Sequence, residues 1–276
     1  MERRLSSYQP QFFPRLHYFA RILNSDIFAI ADYVQFVRKH AYCRPDQKRE
    51  RGPSFQAHTP IKTKDGVLLL DFPTKHGGLQ SIHTTRLGYT SEREQLKNLR
   101  LITQHYKNAP RYQELIGSLK DFFETEFETV AEMNTASIYW GLAHLFELPE
   151  RNQKPVFEDI QKSLPYTPFR LTQIVLFSES GIEPPHKEKG RDANDWLIET
   201  CKVFDAKEYH FGGTSADAYM DFKKFDDAGI TLIKQEWTCV PYTQSQVPFL
   251  PNLSIIDLLM NVTPAEARVI LHTQNQ

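Results

Sequence analysis

Apolar positions along the chain fall into blocks of different period, and each block predicts a different kind of structure. Near the start, Arg4–Tyr8 and the run IFAIADYVQFV read as strands with their exits. Between them Leu16, Tyr18, Phe19, Ile22 and Leu23 make a short helical stripe behind Pro14. FQAHTPIK and GVLLLDFP read as strands flanking the turn Lys64-Asp65-Gly66. From about residue 90 to 150 the period becomes helical. Ser91 and Glu94 have capping-box spacing, Leu96, Leu99, Ile102 and Tyr106 follow on one face, and Pro110 ends that helix. A second helix carries Leu115, Ile116, Leu119, Phe122 and Phe123, and a third spans Val130 to Phe146. Strand and helix then alternate. QIVLFSES, EYHFGG and GITLIKQEW read as strands, and GRDANDWLIETCKVF as a helix with Trp196, Leu197, Cys201 and Phe204 facing inward. LSIIDLLMNV is a short helix, and Thr263-Pro264-Ala265-Glu266 opens a last one.

Strands separated by helical patterns predict an α/β fold: a mostly parallel sheet core with right-handed crossovers and a helical insertion or lid in the middle of the chain. The chain is read as one domain over 1–276, with 90–150 as a helical subregion. Ligands of such sheets bind beyond the carboxyl ends of the strands. Four groups would meet there: Tyr8, Gln9 and Pro10; Asp32 to Gln35; Ser178, Glu179 and Ser180; and His210, Gly212, Gly213, Thr214 and Ser215. Gln9 and Gln35 can each present an amide donor and acceptor to a polar ligand. The Gly212-Gly213 turn exposes backbone N–H groups to an anion, or else Thr214 or Ser215 caps the next helix. Asp32 is the candidate general base, provided it reaches the proton it removes.

Charge and composition narrow the classes. With 33 basic and 34 acidic residues the chain lacks the bias of a nucleic-acid-binding protein. Cys43, Cys201 and Cys239 are scattered, which fits a reducing compartment without a disulfide framework. The start has no apolar run of signal-peptide length, and no window approaches about eighteen apolar residues, so a soluble cytoplasmic protein without a membrane span is expected. The histidines form neither HxH nor HExxH, so no metal site is assigned. GxSxG, GxGxxG and Walker A patterns are missing, and the cofactor stays unknown. The basic run from Arg38 to Arg51 reads as a solvated loop or, alternatively, as a phosphate-binding stretch. The aromatic, proline-bounded stretch YQPQFFPRLHYF reads as a rigid pocket wall with some of its rings in the core.

Taken in order, several segments resemble the WbqC-like family. They are QPQFFPRLHYF, then Asp32-Tyr-Val-Gln-Phe, HAYCRPDQ, YKNAPRY, the stretch from GRDANDWLIETCKVFDAKEYHFGGTSADAYM to FDDAGITL, and PNLSIIDLLMN. The likeness covers nearly the whole chain. It departs at His17, where the family has glycine, at Cys43-Arg44 in place of Asn-Arg, and at Val240-Pro241-Tyr242-Thr243-Gln244, which lacks the family's late histidine. The resemblance adds Arg44, Tyr219, Tyr242 and Gln244 to the substrate-binding candidates Gln9, Gln35, Gly212 and Gly213. It implies a cytosolic enzyme that modifies an amino sugar or related small molecule by acyl or aminoacyl transfer, in surface-polysaccharide or similar biosynthesis. The partner implied is a sugar-linked small molecule, with a carrier-bound donor and no nucleic acid. Two alternatives stay open: a nucleotide-binding or nucleotidyl-transferring enzyme, and a non-catalytic binding or scaffold subunit.

Overall fold

The computed structural model describes residues 2–43, 49–75, 78–148, 157–183, 191–212 and 220–272. Its strands are β1 (Arg4–Tyr8), β2 (Ile27–Ile30), β3 (Lys39–Cys43), β4 (Arg49–Pro53), β5 (His58–Thr63), β6 (Gly66–Asp71), β7 (Gln173–Leu176), β8 (Glu208–Phe211) and β9 (Thr231–Lys234). Its helices are α1 (Leu16–Leu23), α2 (Glu92–Gln95), α3 (Lys97–Tyr106), α4 (Tyr112–Glu124), α5 (Val130–Leu145), α6 (Phe157–Ser163), α7 (Ala193–Val203), α8 (Phe222–Asp227), α9 (Ile255–Asn261) and α10 (Pro264–His272).

The expected α/β fold is present. Five strands form one sheet in the order β7-β2-β1-β8-β9, and every pairing in it is parallel. The order reverses at β1: the chain steps outward through β2 to β7, then crosses back to lay β8 on the other side of β1. Strand β2 shows why such a strand is apolar throughout. Ile27 and Ala29 join the core beneath α7 and α8, whereas Phe28 and Ile30 join the core of the helical layer.

Within the expected helical block, residues 90–148 form a packed layer. Twelve residues of α5 are buried, distributed around the helix. A Cβ added at Gly141 would lie 2.5 Å from Phe19 Cζ, so the missing side chain is what lets α5 close on α1. The helix expected after Ser91 is broken at Leu96 into α2 and α3. Thr263 and Glu266 cap α10 reciprocally, as the Thr-Pro-Ala-Glu spacing predicts. The basic run corrects one expectation. Its described parts, 39–43 and 49–53, pair as a two-stranded antiparallel ribbon, β3 on β4, with Lys39 opposite Pro53. Neither strand carries an apolar period, so the pairing was invisible to hydrophobic patterning.

The two edges of the parallel sheet differ. At the amino edge charges are matched: Arg4 Nε lies 2.7 Å from Glu208, and Arg170 Nη2 lies 2.7 Å from Asp26. Among the described residues no helix is long and apolar enough to cross a membrane.

Candidate functional site at the carboxyl edge

The adjacency of β7, β2, β1 and β8 brings the four predicted strand exits to one rim. Asp32 follows β2 and is 3% exposed. Its Oδ1 accepts the Ser178 backbone N–H at 2.9 Å, and its Oδ2 accepts the Ser178 hydroxyl at 2.5 Å. Ser178 follows β7 and is itself exposed, so the pair opens to solvent. The segment after Asp32 pairs with a loop: Phe36 N–H donates to Gln80 and Ile82 N–H to Val34, both at 2.8 Å. That pairing carries His83 to the carboxylate, with Nδ1 at 3.8 Å from Oδ2. From α5 comes the buried Tyr139 phenol, whose pKa is pushed far up by burial first, and then by the negative charges of Glu179 and Asp32. It is therefore a neutral phenol within electrostatic reach of both carboxylates.

The amides form a second group. Gln9 Oε1 accepts from Gln56 Nε2, which also reaches the Gln35 carbonyl at 3.3 Å. Gln56 Oε1 accepts the Val37 N–H at 2.6 Å, and its backbone carbonyl accepts Asn134 Nδ2 at 2.8 Å. Asn134 Nδ2 also holds the Pro10 carbonyl, at 3.0 Å. Gln56 thus ties the exits of β1 and β2 to α5, and the Gln35 side chain is left exposed. Gln9 is already partnered by protein. All four rings Phe12, Phe13, Tyr18 and Phe19 lie in the core, 2% exposed or less. The aromatic stretch therefore offers the rim Gln9, the Tyr8 ring and its backbone, with these four rings turned inward.

Other predicted residues lie elsewhere. Tyr242 and Gln244 belong to a separate buried network. Tyr106 and Tyr242 hydroxyls each donate to Asp257 at 2.6 Å, and Gln244 Nε2 donates to the same carboxylate at 2.9 Å. Burial raises the Asp257 pKa against these stabilising hydrogen bonds. Gly212 sits at the exit of β8, where an added Cβ would lie 2.5 Å from Arg21 Nη2. Arg44, Gly213 and Tyr219 lie outside the described residues. Sequence patterning missed Gln56, His83, Asn134, Tyr139 and Asp257. The first two sit in loops, and the other three are polar positions inside helices that an apolar period ignores.

Among the described residues no group of three His, Cys, Asp or Glu side chains is placed to hold a metal ion. Cys201 is fully buried, and burial pushes its thiol up to about 12, which suits core packing. A surface depression of about 660 Å³ lies between α8 and the amino end of β9, lined by Phe222, Lys223, Asp226 and Leu232. It lies at the opposite end of the strands from the rim and gathers none of the rim's polar groups.

The family model that describes the WbqC-like protein family matches residues 9–154 and 166–269. No curated protein and no solved structure matches the chain.

Proposed function

The chain belongs to the WbqC-like protein family, and from that premise we propose that it is a transferase acting at the carboxyl edge of the sheet on a sugar-linked amine or related small molecule. The reaction fits acyl or aminoacyl transfer from a donor that a carrier can present, within surface-polysaccharide or similar biosynthesis. One observation carries the reading: a buried carboxylate, Asp32, stands at a strand exit with an exposed hydroxyl on it and a neutral phenol nearby. A carboxylate so placed accepts a proton from an incoming amine once the amine displaces the Ser178 hydroxyl. The exposed Gln35 amide orients the polar ligand, and Gln9 and Gln56 fix the wall beside it.

Asp32→Asn tests this. The amide keeps shape and can still accept the Ser178 N–H, but it cannot take the proton. Turnover with an amino-sugar acceptor and an acyl- or aminoacyl-thioester donor is expected to fall by roughly 10²–10⁴-fold while the melting curve stays cooperative. Retained turnover would remove Asp32 from the chemistry.

A second reading has its own observation. The strand order reverses between β1 and β8, and open parallel sheets bind nucleotides at such a point. It predicts that a nucleotide or nucleotide-sugar raises the melting temperature in a concentration-dependent way.

A further inference from the structure

Where the strand order reverses, between β1 and β8, lies a buried cation that no carboxylate among the described residues pairs with. Arg21, in the second turn of α1, is 3% exposed. Helical side chains lean toward the helix N-terminus, and here that lean brings the guanidinium to the carboxyl edge of the sheet. Its neighbours there are the Tyr8 ring at the end of β1, 4.9 Å from the guanidinium carbon, Gly212 at the exit of β8, and Gln235 just beyond β9. The spot is where the strand order reverses, and open parallel sheets bind their ligands at such a point.

Its hydrogen bonds leave it unbalanced. Nε and Nη2 both donate to Gln235 Oε1, at 3.1 and 2.9 Å. Gln235 in turn donates Nε2 to the His17 carbonyl at 2.8 Å, which fixes its oxygen toward the arginine. Among the described residues no carboxylate forms an ion pair with Arg21. Both neighbouring imidazoles are neutral: burial, with Arg21 contributing, lowers His17 and His210 to about 3. A guanidinium has five N–H donors, and Gln235 uses only its Nε side, so among the described residues the end-on fork of Nη1 and Nη2 has no hydrogen-bond acceptor. Burying a charge is costly unless something opposite meets it. At the amino edge of this sheet the half-buried Arg4 and Arg170 are matched with carboxylates.

We propose that Arg21 is an oxyanion-binding residue, whose open fork takes a phosphate or carboxylate group of the ligand bound where the strand order reverses between β1 and β8. The fork geometry suits either group, since both offer two oxygens to parallel N–H donors. Gly212 belongs to the same device, because any side chain there would displace Nη2. The proposal rests on the rim being the ligand site, but not on acyl transfer or on Asp32.

The test is calorimetric titration of inorganic phosphate, and separately of acetate, into the wild-type protein at fixed ionic strength. The same titrations are run on Arg21→Lys, which keeps the charge and loses the fork, and on Gly212→Ala, which keeps the arginine and crowds it. Saturable binding is expected, weakened about tenfold or more in both variants. Phosphate saturating alone marks a phosphorylated ligand, and acetate saturating marks a carboxylate; either supports the proposal. If a variant fails to fold, the wild-type Arg21 Nε resonance decides, since it must move with added anion. No saturable binding of either anion, or equal binding in a folded Arg21→Lys, overturns the proposal and leaves Arg21 as a cation held by Tyr8 and Gln235. Turnover lost in Asp32→Asn with no anion binding would sink this inference alone; anion binding with turnover intact in Asp32→Asn would sink the proposed base alone.

Discussion

Asp32 and Asp257 are almost equally buried, 3% and 0% exposed, yet their surroundings differ in kind. Asp257 is enclosed by protein donors: two tyrosine hydroxyls and an amide converge on it, and the Tyr106 hydroxyl also accepts the Lys62 N–H at 2.8 Å. Gln244 is in turn locked by the Leu250 backbone through both its oxygen and its nitrogen. Asp32 is held from one side by Ser178, an exposed residue, and has a mostly exposed imidazole at 3.8 Å. A carboxylate whose donors are all internal ties α9 to α3 and the 242–250 segment. One whose partners are open to solvent can exchange a partner for a ligand. Burial alone would have made the two look alike.

The sharpest way to break this contrast is Asp257→Ala. It strands the Tyr106 and Tyr242 hydroxyls and the Gln244 amide, so a loss of about 3 kcal/mol or more is expected in urea unfolding. A loss below about 1 kcal/mol would mean that the network is not structural.

Acid separates the two regions next. His17, His144 and His210 have folded pKa values lowered to about 3, 4 and 3 from 6.5, chiefly by burial. Below pH 6.5 the unfolded chain takes up protons that the folded one refuses, so stability falls as pH drops through that window toward 3. Each imidazole adds a slope of at most about 1.4 kcal/mol per pH unit. Asp257 acts oppositely: its pKa is raised above 3.8, so its share of stability is present below that value and lost as pH rises through the raised one. His144 packs tilted against Trp140 with ring centroids 4.5 Å apart, so His144→Phe is expected to keep the packing. The stability gap between pH 7.5 and pH 5 should narrow in that variant; an unchanged gap would place the acid sensitivity elsewhere.

Tyr242→Phe removes one of the donors to Asp257 and should cost about 1 kcal/mol in thermal or urea unfolding. The smallest stability effect is expected at the rim. Asp32→Asn retains the acceptor for Ser178 N–H and should shift stability by less than about 1 kcal/mol, even as it removes turnover. A large stability loss there would erase the distinction between the two carboxylates.

Much of the frame was legible in the chain. The β2 run Ile27–Ile30 and the exits at Gln9, Asp32, Ser178 and Gly212 were placed correctly at strand ends, because period and turn residues are local signals. Tyr242 and Gln244 illustrate the limit. The resemblance marked them as substrate-binding candidates, and in the structure their hydrogen bonds run to Asp257, thirteen residues beyond Gln244. The ribbon β3–β4 escaped for a related reason: backbone pairing made it without any apolar alternation.

The sequence by itself determined the α/β alternation, the strands and the polar residues at their ends. These follow from side-chain period, capping and turn chemistry, which act over a few residues. Only the tertiary structure decided which of those residues meet. Ser178 reaches Asp32 across 146 positions, and Gln235 reaches Arg21 across 214. Strand order, β7-β2-β1-β8-β9, sets those meetings, and it follows from how the whole apolar surface is buried at once.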